Sequence, residues 1–460
     1  MPPPSFKIVE EARVAVPAAA ALPPEPLRLS ALDALWIPLP LIQRVLIFDG
    51  GAGDLPPFAS VVAALRASLA DTLARFPPLA GEIVHLPSTG DAAIDCTARG
   101  VAGGVRFVVA ESGGDDADRL AADADHDAEA FRRLVPELRA GELPAETFAA
   151  QVTRLRGGVA LGVAMHHAVV DGRSVWRFLQ AWAAACRGEG EADAAAAPPV
   201  AFDRAAVRLP GGEELARDVL RKYAPNLPSA AMAGFLVSPD LARRTFTVSA
   251  QQMHRLKQRI AGHATAMPSP PSSFAAVVAL CWVACVRAKH RAGAVGPGDE
   301  VTIFFFADGR ARLDPPPGDG YFGTCITGCL ARATARDLLA DTEDDDPAEA
   351  ADGALARAAA AVAGEVRRAA EEPLAFWDWM SLVGRVELGR LVNVSGSSRF
   401  PAYEAADFGW GSPARTELVT MNYAGQVVLL AGKGGGVQAS LGIEHAQMEE
   451  FKSQFLSYLD

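Results

Sequence analysis

The stretch Gly157-Gly158-Val159-Ala160-Leu161-Gly162-Val163-Ala164-Met165-His166-His167-Ala168-Val169-Val170-Asp171-Gly172 carries an apolar run into a polar turn. Val159, Leu161, Val163, Met165 and His167 alternate with Ala160, Gly162, Ala164 and His166, the period-two pattern of a strand. The two imidazoles are therefore predicted to point to opposite faces. His167, fixed at a strand end and titrating near neutral pH, is a candidate base for a substrate hydroxyl. Beyond the turn, Val175, Phe178, Leu179 and Trp182 recur at helical spacing, and Ser174 is placed to cap that helix.

Working outward, residues 58–75 read as an amphipathic helix stopped by Pro77-Pro78. Residues 91–127 read as weak strands followed by an acidic loop containing Asp115-Asp116. Residues 187–203, with an alanine run and Pro198-Pro199, read as exposed low-complexity linker. Phe274 to Lys289 is predicted as an apolar helix and Thr302 to Phe306 as a buried strand. The acidic run 341–346 is expected to precede a helix through Arg368, where carboxylates favour the N-terminus. These alternating elements support a mixed α/β chain.

At 460 residues, half of them apolar, the chain is long enough for two or three domains with large cores. A net charge of -12 with no basic cluster argues against a nucleic-acid partner. The N-terminal residues lack the apolar core of a signal peptide, and the run Val277–Val286 is too short to span a bilayer. The C-terminal Ser457-Tyr-Leu-Asp460 carries no organelle address. The six cysteines include pairs at 281/285 and 325/329, but apolar surroundings without nearby histidines point to buried thiols rather than a metal site. A cytoplasmic, monomeric protein without membrane insertion is expected.

A second segment, Asp407-Phe-Gly-Trp-Gly411, follows His167-x-x-x-Asp171 in the order found in the plant BAHD acyl-CoA-dependent acyltransferases, which this chain resembles. The resemblance extends over nearly the whole sequence. It includes Leu29-Ser-Ala-Leu-Asp33-Ala-Leu-Trp36 with Gln43-Arg44, Leu65 to Gly81, and Asp308-Gly-Arg310-Ala-Arg312. Tyr321-Phe-Gly-Thr-Cys325 is similar to the malonyltransferase branch of that family, with Thr324 where the branch usually carries Asn.

The resemblance implies two chloramphenicol-acetyltransferase-like domains, each a mixed sheet with flanking helices, and an active-site channel at their interface. The corresponding division is 1–186 with HxxxD, a crossover linker 187–228, and 229–460 with DFGWG. It implies acyl transfer from an acyl-CoA, malonyl-CoA first, to a sugar hydroxyl of a phenolic glucoside such as an anthocyanin 3-O-glucoside. His167 is then the base of a direct ternary-complex mechanism, with acyl-CoA as co-substrate, no permanent cofactor and no metal. Asp171 is expected to turn away from the imidazole and pair with Arg310, and Asp407, Gly409 and Trp410 to support the site structurally. Ser398 and Trp36 are candidates for oxyanion or acceptor contact. Ser272 and Ser273, at a helix start, are candidates for contact with CoA.

Donor charge is the discriminating question, because a carboxylate in a dry site needs a cation, best an arginine fork. Arg173 is the nearest candidate in sequence. An aromatic hydroxycinnamoyl donor, with a phenolic glucoside or an amine as acceptor, would need no cation. Two further readings are a condensation-type enzyme sharing His-His-x-x-x-Asp-Gly, and a catalytically silent relative acting as a binding protein. The DFGWG segment disfavours the first and intact His167 and Asp171 the second. No cysteine lies in a nucleophile motif, and Gly-x-Ser-x-Gly is lacking.

Overall fold

The computed structural model describes residues 6–50, 55–189, 198–224, 226, 241–263, 270–339, 347–421 and 423–459. The chain divides into two α/β units. The first comprises Met1–Gly234, Gly309–Cys325 and Pro401–Thr420, and the second Phe235–Asp308, Ile326–Phe400 and Met421–Asp460. The expected division into consecutive halves is thus corrected: two segments from the second half of the sequence are built into the first unit. Long-range strand pairing is the cause, since Arg415–Leu418 pairs antiparallel with Ile42–Asp49.

In the first unit a six-stranded mixed sheet runs Phe6–Val14, Val105–Asp116, Phe148–Arg156, Gly158–Met165, Ile42–Asp49, Arg415–Leu418. Only the pair Val105–Asp116 and Phe148–Arg156 is parallel. The apolar run quoted above forms the strand Gly158–Met165, buried along all but its first residue. Its small-residue face allows close approach: a Cβ on Gly162 would lie 1.9 Å from the carbonyl oxygen of Leu134. Helices Phe58–Arg75 and Gly172–Cys186 pack together, and Trp182 of the second donates to the Leu65 carbonyl at 3.2 Å.

The expected helix over 58–75 is Phe58–Arg75. The acidic stretch near Asp115 differs from expectation. Asp116 ends a twelve-residue strand and caps the helix Ala117–Ala122, while Asp115 is buried against Ser112 and Arg133. Hydrogen bonding and ion pairing let these carboxylates enter regular structure. The span assigned to a linker also contains a helix, Gly212–Tyr223.

The second unit has its own six-stranded mixed sheet, in the order Leu241–Val248, Val437–Glu444, Gln426–Ala431, Leu391–Gly396, Glu300–Asp308, Ile326–Thr334. Its core is organised by the helix Ser273–Arg291, flanked by Pro347–Glu371 and His445–Ser457. This helix has the length and apolarity to cross a membrane, but 78% of its apolar window is buried inside the protein, which marks a core helix. Cys281 and Cys285 lie on it as buried free thiols, and burial pushes Cys285 up to about 12. No group of residues suited to a metal ion occurs among the described residues. The acidic run 341–346 lies outside the described residues.

Candidate active site

The strand Gly158–Met165 ends where His166 begins a tight turn, its amide donating to the Thr147 carbonyl at 2.9 Å and its carbonyl accepting from Val169 at 2.9 Å. The two histidines part as the alternation predicts. His166 is buried, and its Nδ1 accepts from the Ala168 amide at 3.2 Å. His167 keeps part of its surface open and stacks on Trp36, with ring centroids 3.5 Å apart and planes 9° from parallel.

The two ring nitrogens of His167 are not equivalent. Nδ1 is sealed from solvent without a hydrogen-bond partner among the described residues, a state that Nε2 does not share. Nε2 is therefore the nitrogen available to a substrate proton. Burial pulls the His167 imidazole down to about 4, against a smaller opposing pull from its own backbone and from Asp171. The ring is thus a neutral base at pH 7. As it gains a proton, the nascent cation lies over the Trp36 indole, an interaction worth about 0.5–2 kcal/mol. Trp36, expected as an oxyanion or acceptor contact, is placed to position the base.

Asp171 is fully buried and does not hydrogen-bond His167 among the described residues. Its Oδ1 accepts from the Ser174 amide at 2.9 Å and from Arg310 Nη2 at 3.1 Å. Its Oδ2 accepts from the Cys325 amide at 3.1 Å and meets Arg310 Nη1 at 2.8 Å. Burial alone would raise its pKa, but the Arg310 guanidinium and the two amides outweigh it and hold Asp171 below the usual carboxylate range. Asp171, rather than Ser174, therefore caps the helix Gly172–Cys186. A carboxylate accepts an amide hydrogen bond more strongly than a hydroxyl does. The Ser174 hydroxyl instead bridges to Gly323, accepting from its amide at 3.1 Å and donating to its carbonyl at 3.0 Å.

Segment 321–325 holds the turn from the other side. Thr324 Oγ1 donates to the His167 carbonyl at 2.9 Å, while the Thr324 amide donates to Asp33 Oδ1 at 2.9 Å. Asp33 is itself locked in a capping box with Ser30. Arg204 donates to the carbonyls of Phe322 at 2.6 Å and Val169 at 3.2 Å, so one guanidinium ties the segment to the turn that carries His167. Its path explains Gly323: a Cβ there would fall 1.4 Å from Arg204 Nη1. Arg204 was missed because it lies at the edge of the presumed linker and has no local motif. The Ser30-x-x-Asp33 spacing, a capping-box pattern, was the legible clue to Asp33.

The remaining candidates fall elsewhere. Arg173 pairs with Asp319 at 2.9 Å and its side chain is 41% exposed, so it forms a surface ion pair rather than a water-poor carboxylate site. Asp407 folds its own turn, with Oδ1 accepting from Gly409 at 2.8 Å and Gly411 at 3.0 Å, and both glycines have positive φ. Phe408 meets Trp182 edge-on at 5.4 Å, and Trp410 meets Phe48 at 6.0 Å. The DFGWG segment thereby anchors the edge strand Arg415–Leu418. It makes no hydrogen bond or ring contact to His167 or Asp171 among the described residues. Ser272, Ser273 and Ser398 belong to the second unit. There the Ser272 hydroxyl caps its helix, accepting from the Ala275 amide at 3.1 Å.

A depressed histidine pKa has a kinetic signature. Between pH 7.5 and 5.5 we expect kcat/KM to fall less than about twofold, whereas an unshifted histidine would cost about tenfold. A stopped pH profile with a saturating second substrate checks this. Stability should respond over the same range: the unfolded chain binds the proton between about 6.5 and 4, so stability falls as pH falls through that window.

A neutral histidine at a strand end, with its backbone clamped and its aspartate turned to an arginine, is an arrangement suited to a general base, on a two-unit α/β fold. The chain belongs to the Transferase family of CoA-dependent acyltransferases, the BAHD family, whose sequence model matches residues 6–457. Malonyl-CoA:anthocyanidin 5-O-glucoside-6''-O-malonyltransferase of Arabidopsis thaliana is 30% identical over 98% of both chains. Vinorine synthase shares the fold with a TM-score of 0.71 at 20% identity, covering 99% of each chain. TRI101 of F. graminearum, solved with coenzyme A and T-2 mycotoxin, gives 0.64 at 15% identity over 94% of this chain and 99% of that one. Acyl-CoA enters this family as a co-substrate.

Proposed function

We propose that the protein transfers a malonyl group from malonyl-CoA to a sugar hydroxyl of a phenolic glucoside, such as an anthocyanin 3-O-glucoside, in the cytoplasm. The observation that carries the donor and the glucoside class of acceptor is the full-length similarity to the anthocyanidin 5-O-glucoside malonyltransferase of Arabidopsis thaliana; a similar anthocyanin 3-O-glucoside malonyltransferase of Dahlia pinnata, 26% identical over 98% of this chain, supports the 3-O-glucoside example. Tyr321-Phe-Gly-Thr-Cys325, packed beside the catalytic turn, supports it. The six cysteines form no disulfide among the described residues, which is compatible with a reducing compartment.

In this mechanism both substrates are bound together. Nε2 of His167 removes the proton of the sugar hydroxyl as its oxygen attacks the thioester carbonyl, giving a tetrahedral oxyanion. Collapse breaks the carbon–sulfur bond, and the imidazolium returns the proton to the CoA thiolate. Net change is one ester formed and one thioester lost. Asp171 does not move a proton in this scheme; it keeps Arg310, Ser174 and Cys325 in the arrangement that sets the turn.

Purified protein incubated with malonyl-, acetyl- and coumaroyl-CoA and a panel of phenolic glucosides, with products read by mass, tests the proposal. Malonyl transfer is expected to be fastest. Coumaroyl-CoA as the best donor would overturn the malonyl assignment and leave a hydroxycinnamoyltransferase.

A further inference from the structure

The turn that carries His167 is a β-turn. The His166 carbonyl accepts from the Val169 amide at 2.9 Å, which leaves His167 and Ala168 at its two corners. The peptide plane joining the corners is the soft part of such a turn. Types I and II differ chiefly in ψ of the first corner and φ of the second, that is, by rotation of this one plane. Here the plane is held at both ends. Its carbonyl, that of His167, accepts from Thr324 Oγ1 at 2.9 Å, and its amide, that of Ala168, donates to His166 Nδ1 at 3.2 Å.

Thr324 is itself immobilised. It is fully buried, and its amide is tied to Asp33 Oδ1 at 2.9 Å. The Gly323 amide donates to Ser174 Oγ and the Cys325 amide to Asp171 Oδ2, both at 3.1 Å. A β-branched side chain on so fixed a backbone has few rotamers, so its hydroxyl points one way at little further entropic cost. Among the described residues this is the one hydrogen bond that His167 makes. The parallel stack on Trp36 opposes tilting of the ring, but dispersion contact between flat faces resists sliding only weakly. The in-plane position of Nε2 therefore depends on the backbone from which the ring grows, and that backbone hangs on the Thr324 hydroxyl.

We infer that Thr324 is a positioning residue for the proposed acyl transfer: its hydroxyl holds the His167–Ala168 peptide plane and so sets Nε2 at the distance and angle that proton removal requires. Fully buried and committed to a carbonyl, the hydroxyl acts through His167 rather than on a substrate. General-base help needs the nitrogen within about 2.6–3.2 Å of the oxygen it deprotonates, a tolerance that a rocking turn would exceed. The inference rests on His167 being the base and is independent of which acyl group is transferred.

The test measures kcat and both KM values for Thr324→Val and Thr324→Ser, using the donor and acceptor pair found fastest in the panel assay. Valine keeps the branched shape and removes the hydrogen-bond donor, whereas serine keeps the donor. Thr324→Val should lower kcat by about ten- to a hundredfold, the cost of misplacing a reacting group by roughly 1 Å, and should change either KM less than about twofold. Thr324→Ser should recover most of the lost turnover. Placed in His167→Ala, the valine change should alter the residual rate less than about twofold, because the group it positions is gone. Thr324→Ala should reproduce the loss and covers the case in which the valine variant does not fold. Equal losses with and without His167 would assign Thr324 to structure and overturn the inference. An unchanged kcat in the folded valine variant, a serine variant as slow as valine, or a penalty confined to KM would overturn it too. Near-normal turnover in His167→Ala would overturn this inference and the base assignment together, whereas coumaroyl-CoA as the fastest donor would overturn the malonyl reading alone.

Discussion

Replacing His167 by alanine should lower kcat by two to four orders of magnitude, roughly the span attributed to general-base assistance. The fold should persist, because the ring's recorded contact is the stack on Trp36 and its Nδ1 bonds nothing among the described residues. The anchoring of the turn passes through the His167 carbonyl, which alanine retains. His166→Ala should behave differently. It removes the acceptor of the Ala168 amide inside the protein, leaving a buried donor unpaired at about 1–3 kcal/mol. Its loss of activity should follow its loss of stability. Turnover assays paired with thermal melts separate the two. Near-normal turnover in His167→Ala, with a folded but dead His166→Ala, would show that the other histidine is the base.

Asp171→Asn should be the most destabilising conservative change in the site, by about 3–5 kcal/mol, the usual consequence of stripping one partner from a buried ion pair. Asparagine is an adequate helix N-cap, so the cap should survive and the change isolates the charge. What remains is the Arg310 guanidinium, 1% exposed, facing a neutral amide. Activity should fall with stability, since the same carboxylate orders Ser174 and Cys325 around the turn. Adding Arg310→Met to Asp171→Asn should restore part of the lost stability by removing the stranded cation. Denaturant midpoints of the single and double variants check this. A single variant that unfolds like wild type but has no activity would mean that Asp171 orients the imidazole directly.

Both outcomes follow from how the site is assembled. The turn after the strand contributes His167, but five other segments immobilise that turn: Thr147, Arg204, Arg310, the 321–325 stretch and, through Thr324, the Ser30–Asp33 box. These points are distant in sequence and meet inside the first unit. Buried polar groups of this kind specify one geometry only when nearly all are satisfied.

Local chemistry made part of this legible beforehand. The strand and the opposite orientation of His166 and His167 follow from period-two alternation, which depends only on backbone geometry. The helices 58–75 and 273–291 follow from apolar spacing in the same way. The family and the Asp171–Arg310 pairing were readable from motifs and resemblance. Other features were decided by distant parts of the chain. Ser174 lost the cap to Asp171 because a carboxylate is the stronger acceptor and Gly323 offered the hydroxyl another partner. Arg173 lost its expected role because Asp319, remote in sequence, neutralises it at the surface. Arg204 carries no local signal at all. Whether an arginine is exposed, paired or buried without a partner depends on which strands and loops pack around it, and that is settled only when the chain has folded.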